Sequence, residues 1–186
     1  MRRVTYSMSV SVDGFVEGPD GDFSWPGLSD EVFDIALREI RDVGVHLMGR
    51  RLYETMLYWD TVDIDTLPAP RREWVTRWNA LPKVVFSTTL SNVQGNTRLA
   101  SGGLADEIER LRSEPDEGDI AIGGATLAAE AAALRLIDEY YVRVFPVLVG
   151  GGLPFFARDG QRRDLELLET RSFESGVAYL RYAVRR

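Results

Sequence analysis

Three stretches of this chain set glycines, guanidinium groups or hydroxyls where a strand hands over to a helix. In Met48-Gly49-Arg50-Arg51-Leu52-Tyr53-Glu54 a glycine is followed by two arginines. The glycine lets a backbone come close to a ligand, and the helix start offers N–H groups with no partner inside the helix. Two positive charges at a helix start cost about 0.3 kcal/mol or more unless an anion is present. Ile122-Gly123-Gly124-Ala125-Thr126-Leu127 repeats the order strand, glycines, helix, and Phe86-Ser87-Thr88-Thr89 supplies hydroxyls and amides after another strand. In open α/β sheets ligands bind beyond the carboxyl ends of the strands, so three such junctions at one end would hold an extended polyanion such as a dinucleotide. Neither usual phosphate signature occurs: no Gly-x-Gly-x-x-Gly follows the first strand, and no Gly-Lys-[Ser/Thr] is present. Each junction also has a plainer reading, turn geometry for the glycines and solvated surface for the arginines.

The elements that must position these groups are legible from periodicity. Val4 to Val12 alternates and is rich in β-branched residues, so it predicts a strand ended by Asp13-Gly14. Glu17 to Gly27 reads as a loop. Ser29 is a helix N-cap with Asp30 and Glu31 in the first turn, and Phe33, Ala36, Leu37 and Ile40 form one apolar stripe. Gly44 is expected to close that helix as its C′ residue. Strands follow at 45–48, 83–87, near 96–100, at 119–122 and at 139–149, with helices opening at Arg50, around Trp74 and Trp78, over Leu104, Ile108 and Leu111, and after Gly124. Residues 60–70 read as irregular. Segments 165–173 and 177–184 form a hairpin turning at Glu174-Ser175-Gly176. Strands alternating with helices and then a hairpin predict an α/β fold in one domain, 1–186. Its sheet is mainly parallel with an antiparallel edge.

Composition removes whole classes of chemistry. The 186 residues contain no cysteine and one histidine, so disulfides, cysteine metal sites, thiol catalysis and any two-histidine site are excluded. That histidine, His46, falls inside a strand and reads as a core or face residue. A net charge of −7 argues against general nucleic-acid binding, where neutralising phosphates supplies the affinity. The N-terminus has no signal-peptide pattern and no apolar run reaches roughly 18 residues. A soluble, cytoplasmic protein without membrane or nucleic-acid partners is expected. The apolar strand 140–149 and the closing hairpin suggest a homodimer, an ordinary sheet edge being the alternative.

Several motifs in their order carry a resemblance. They are Ser9-Val10-Ser11-Val12-Asp13-Gly14-Phe15, the Met48–Glu54 and Ile122–Leu127 junctions, Leu136-Ile137-Asp138-Glu139-Tyr140, and Pro146-Val147-Leu148-Val149-Gly150-Gly151-Gly152. Together they resemble the dihydrofolate-reductase-like family over nearly the whole chain. Within it the chain is most similar to stand-alone relatives of the reductase domain in the bifunctional riboflavin-biosynthesis deaminase-reductase. The resemblance implies a three-layer αβα fold that binds NADPH across the strand ends. Gly49, Arg50 and Arg51 would then meet the cofactor phosphates, with Arg50 on the 2′-phosphate, where a guanidinium matches phosphate bidentately. Ser87 and Thr88 would line the adenosine half, and Gly123, Gly124, Ala125, Thr126 and Leu127 would clasp the pyrophosphate and nicotinamide ribose.

On the substrate side the same resemblance points to Asp13 and Asp30 as catalytic candidates. Asp13 would orient the substrate or, with its pKa raised by burial, move a proton. Asp30 falls near the substrate-binding acid of dihydrofolate reductases, though it is equally part of a helix start. Trp25 lies where those enzymes carry a lid. Phe33 and Tyr53 would wall the pocket, although both sit on core-type stripes. Ile122 stands where riboflavin-pathway reductases usually place an acid. Trp74 and Trp78 suit pocket, interface or core alike. The expected activity is hydride transfer from NADPH to a small conjugated heterocycle, pteridine- or aminopyrimidine-like. A nucleotide-binding module without turnover, or a flavin-dependent reductase in the same groove, are the alternatives.

Overall fold

A computed structural model describes residues 1–27, 29–115 and 117–186. In chain order it begins with β1 (Val4–Ser11), β2 (Phe15–Glu17), α1 (Asp30–Arg41), β3 (Val43–Gly49), α2 (Arg50–Met56) and α3 (Tyr58–Thr61). A 3₁₀ turn over Ile64–Thr66 leads to α4 (Ala69–Ala80), β4 (Lys83–Phe86), β5 (Thr97–Leu99), α5 (Leu104–Ser113) and β6 (Asp119–Gly123). The chain finishes with α6 (Ala125–Ala133), β7 (Glu139–Phe145), β8 (Leu153–Pro154), β9 (Leu165–Ser172) and β10 (Ala178–Val184).

Among the described residues, eight strands make one sheet in the order β5-β4-β3-β6-β1-β7-β10-β9. The first six run parallel, and β10 and β9 pair antiparallel at the edge. This is the mixed, mainly parallel sheet that the strand–helix alternation predicts. β7 stops at Phe145, because Pro146 has no N–H to give a ladder. β2 and β8 form a separate two-stranded ribbon that the sequence pattern did not announce.

Helices cover both faces. On one, Leu104 and Ile108 of α5 and Leu127 and Ala131 of α6 pack on Val45, Leu47, Ile120 and Ile122 of the sheet. On the other, Leu37 and Ile40 of α1 and Trp78 of α4 close over Met48 and Val85. Each such aliphatic side chain contributes about 1.5–3 kcal/mol when removed from water. α1 begins as its sequence predicts: the Ser29 hydroxyl accepts from the Val32 amide at 3.4 Å. Segment 60–70, expected to be irregular, holds the end of α3 and the 3₁₀ turn. No helix among the described residues is long and apolar enough to cross a membrane.

Gly44 corrects one expectation. The C-cap of α1 is Asp42, and Gly44 already belongs to β3. It is glycine because the neighbouring chain comes so close: a Cβ there would lie 2.2 Å from the Glu117 carbonyl oxygen and 2.7 Å from Arg2 Nη2. Gly44→Ala is therefore expected to destabilise the fold by about 1–3 kcal/mol, the usual cost of forcing atoms into a filled space. Urea denaturation measures it, and an unchanged midpoint would show that the Glu117 segment gives way freely.

Candidate active site

Register decides where the three glycine and hydroxyl junctions meet. Gly49 at the end of β3 pairs with Phe86 of β4, and Met48 pairs with Gly123 of β6. The strands are parallel neighbours, so all three junctions emerge side by side at one edge of the sheet. Arg50, Ser87, Thr88 and Thr89 line a groove of about 580 Å³ there, with Ser101 and Gly102 opposite. Arg50 is held by its neighbours: Nε donates to Glu54 Oε1 at 2.7 Å and Nη1 to Thr89 Oγ1 at 2.9 Å. The Ser87 hydroxyl accepts from the Thr89 and Leu90 amides at 3.2 and 3.1 Å, which folds the turn.

The other cradle residues divide. A side chain built at Gly49 would meet nothing within 4 Å, and its backbone is extended, so no contact inside the protein demands glycine there. Gly124 adopts φ +90°, a conformation that favours glycine, and caps α6 without a side-chain bond. Arg51 turns away from the groove toward Glu17, 3.4 Å distant. Ala125 and Leu127 are buried in the core, so only their backbone can meet a ligand, whereas Thr126 is exposed.

Beneath the junctions, between the sheet and α1 and α4, lies a cavity of about 210 Å³. Trp74 and Trp78 form part of its wall, stacked with ring centroids 5.4 Å apart and planes at 6°. His46 meets the Trp78 ring edge-on at 5.2 Å, and Lys83 Nζ sits 5.0 Å from the Trp78 centroid. Leu52 of α2 and Gly123 of the Ile122–Leu127 junction also line the cavity, so it reaches the strand ends. Its polar end consists of Ser7, Glu39 and Arg143. Arg143 Nη1 donates to Glu39 Oε2 at 2.7 Å and to Ser7 Oγ at 2.9 Å, and the Ser7 hydroxyl donates to Glu39 Oε2 at 2.7 Å. Sequence reasoning missed Ser7, Glu39 and Arg143 altogether, took His46 for a core or face residue, and left both tryptophans undecided.

The residues proposed for the substrate side lie elsewhere. Asp13 accepts the Gly150 amide at 2.8 Å and the Val149 amide at 3.2 Å, tying the end of β1 to the loop after β7. The Ser11 hydroxyl and those amides hold its pKa below the ordinary carboxylate value, the reverse of the rise expected from burial. Asp30 is 97% exposed, with Arg71 at 3.6 Å, and touches neither the cavity nor the groove. Trp25 packs edge-on against Phe145 at 5.8 Å. Phe33 and Ile122 are core side chains, and Tyr53 is buried with its hydroxyl accepting from the Gln94 amide at 2.8 Å. None of the four lines the cavity or the groove, and Phe33 packs against the wall residue Trp74 with ring centroids 6.2 Å apart. Among the described residues no group of three or more His, Asp or Glu could hold a metal ion.

Sequence comparison matches the RibD C-terminal domain across residues 2–179. The chain belongs to the RibD C-terminal domain family. Membership supports a reductase-type function. The Bacillus subtilis (strain 168) uncharacterized protein YyaP is 28% identical over 182 residues, which are 97% of this chain and 94% of YyaP. A candidate riboflavin biosynthesis protein from Shewanella sp. PV-4 superposes with a TM-score of 0.76 at 24% identity, covering 99% of both chains. Acinetobacter baumannii RibD superposes with a TM-score of 0.70 at 16% identity, and this chain spans 58% of it. These structural likenesses speak to the shared fold of this RibD C-terminal domain.

His46 gives the cavity a measurable signature. Burial, reinforced by the charge of Lys83, pushes its pKa from 6.5 down to about 4. Between those values the unfolded chain binds a proton that the folded chain refuses, so stability falls as pH drops through that window. The urea midpoint of His46→Gln is expected to fall less than that of the unaltered protein between pH 7 and pH 4.5. Parallel losses would remove His46 as the source.

Proposed function

We propose that this protein is an NADPH-dependent reductase that passes hydride to a small conjugated heterocycle of pteridine or aminopyrimidine type. The observation that carries this reading is the placement of two sites on the same elements. The Arg50 groove suits a phosphorylated dinucleotide and the Trp74–Trp78 cavity suits a flat ring. The cavity is lined by Leu52, on the same short helix as Arg50, and by Gly123, which pairs with Met48 beside the Arg50 junction. When bound, a nicotinamide would supply hydride to a ring carbon of the acceptor, the accompanying proton coming from solvent. The protein's part is orientation. Arg50 and Thr89 fix the phosphorylated ribose, the backbone of Gly123 and Gly124 lets the cofactor approach closely, and the indoles hold the acceptor ring and exclude water.

The cofactor half is tested by thermal shift. NADPH at 100 times its dissociation constant is expected to stabilise the protein by about 2.7 kcal/mol. Arg50→Ala removes a charge-assisted contact of roughly 1.5–3 kcal/mol, so NADPH affinity should fall about 10- to 100-fold while NADH changes little. Equal losses for the two cofactors would remove the 2′-phosphate role. We also take the protein to be cytoplasmic and, separately, homodimeric, the dimer being supported by half-exposed Leu167 and Leu168 on the edge strand β9. Sedimentation at micromolar concentration is expected to return twice the chain mass, and the single-chain mass would end the dimer.

A further inference from the structure

The polar end of the cavity contains a buried acceptor that no described residue serves. Ser7 and Arg143 both donate to Oε2 of Glu39, and Oε1 is buried without a hydrogen-bond partner. A carboxylate paired with a guanidinium can only accept, so Oε1 calls for an N–H or O–H donor. The Glu39 and Arg143 side chains are each only 12% exposed, so bulk water meets little of either group. His46 Nδ1, on another wall, is also buried and unpartnered. Arg143 is the one permanent cation among the described lining residues, and it is committed to Glu39. An anionic ring would therefore find no free positive charge among those lining residues; Lys83, near the Trp78 ring, is not one of them and donates to the Leu81 carbonyl oxygen. The volume of about 210 Å³ exceeds the roughly 150 Å³ that accommodates benzene, leaving space for a substituted six-membered ring or a small fused one.

We propose that Glu39 is the specificity-determining residue of this cavity, its Oε1 taking a hydrogen bond from the exocyclic amine or ring N–H of an amino-bearing heterocycle stacked near Trp74 and Trp78. This rests on the cavity being the ring-binding half of the proposed reductase site. It selects amino-substituted rings over methyl-substituted rings of the same shape and over anionic rings. Glu39 contributes recognition and not chemistry, because it presents an acceptor and no proton.

The test uses the full chain without nicotinamide cofactor, so that failure of NADPH binding and failure of this contact are read separately. Three probes are titrated against intrinsic tryptophan fluorescence and thermal shift: 2,4-diaminopyrimidine, 2,4-dimethylpyrimidine and pyrimidine-2-carboxylate. The diamine is expected to bind at least tenfold more tightly than its methyl isostere, and the carboxylate not at all. In Glu39→Gln the amide oxygen stays on Arg143 and the amide nitrogen faces the cavity, so the preference for the diamine should disappear. A merely structural Glu39 would change stability and leave the amine-to-methyl ratio unmoved. Because that ratio is measured on the unaltered protein, the result stands even if the variant folds poorly. Equal binding of diamine and isostere, tighter binding of the carboxylate, no binding of any probe at millimolar concentration, or an unchanged ratio in Glu39→Gln would each overturn the assignment.

Discussion

The structure depends on how closely three elements converge at Gly123. A Cβ at this position would lie 2.4 Å from Leu52 Cδ2 and 2.5 Å from His46 Cε1. A Cβ would push against both side chains, so glycine here lets β6, β3 and α2 approach closely and keeps Leu52 and His46 together on the cavity lining. Side chains forced into filled space typically cost 1–3 kcal/mol, a tolerable part of the roughly 5–15 kcal/mol that holds a domain together. The larger consequence is positional. A displacement of about 1 Å at α2 would carry Arg50 with it, and the proposed hydride transfer would need reacting atoms about 3–3.5 Å apart.

The Glu39–Arg143 pair is a poor device for stability alone. Desolvating two charges costs several kcal/mol per ion, which a well-placed pair at best offsets, and apolar residues of similar volume commonly do as well. Arg143 lies in a strand flanked on both sides, where a charge is expensive and must be matched. The polar triad is thus difficult to account for by packing. Its place at one end of an otherwise aromatic and aliphatic cavity matches the general pattern of small-molecule sites, where a few fixed polar groups orient a ring that apolar walls hold.

The fold was legible where the signal is local. Ser29 caps α1, the hairpin turns near Glu174-Ser175-Gly176, and the glycine and hydroxyl junctions end their strands where periodicity predicts. Gly44 misled because a glycine soon after a helix suggests a cap, while its cause is a backbone more than seventy positions away in sequence. The cavity was invisible for the same reason: Ser7, Glu39 and Arg143 are separated by 32, 136 and 104 residues pairwise. Signals did exist. Thr5, Ser7, Ser9 and Ser11 place hydroxyls at every second position of β1, a polar face that burial would oblige to find partners. Val32, Ile35, Ala36 and Glu39 share one helical stripe whose last member is an acid, and Arg143 interrupts an apolar strand. A charge in the wrong place along each period was the clue, and it pairs with its opposite in space.

The positive charge at the strand-end groove comes from a side chain more than from a helix. α2 is only seven residues long, so its dipole is small and Arg50 supplies the dominant positive charge. That guanidinium is engaged by Glu54, an exposed pair four residues apart. Such pairs are worth about 0.3–0.5 kcal/mol, whereas a hydrogen bond to a charged group contributes roughly 1.5–3. The proposed dinucleotide phosphate would therefore meet an Arg50 that is only weakly committed to Glu54. Thr89, whose hydroxyl accepts from Nη1 at 2.9 Å, keeps the guanidinium over the groove. The resting contacts with Glu54 and Thr89 set the direction of Arg50 without committing it to a strong, buried pair.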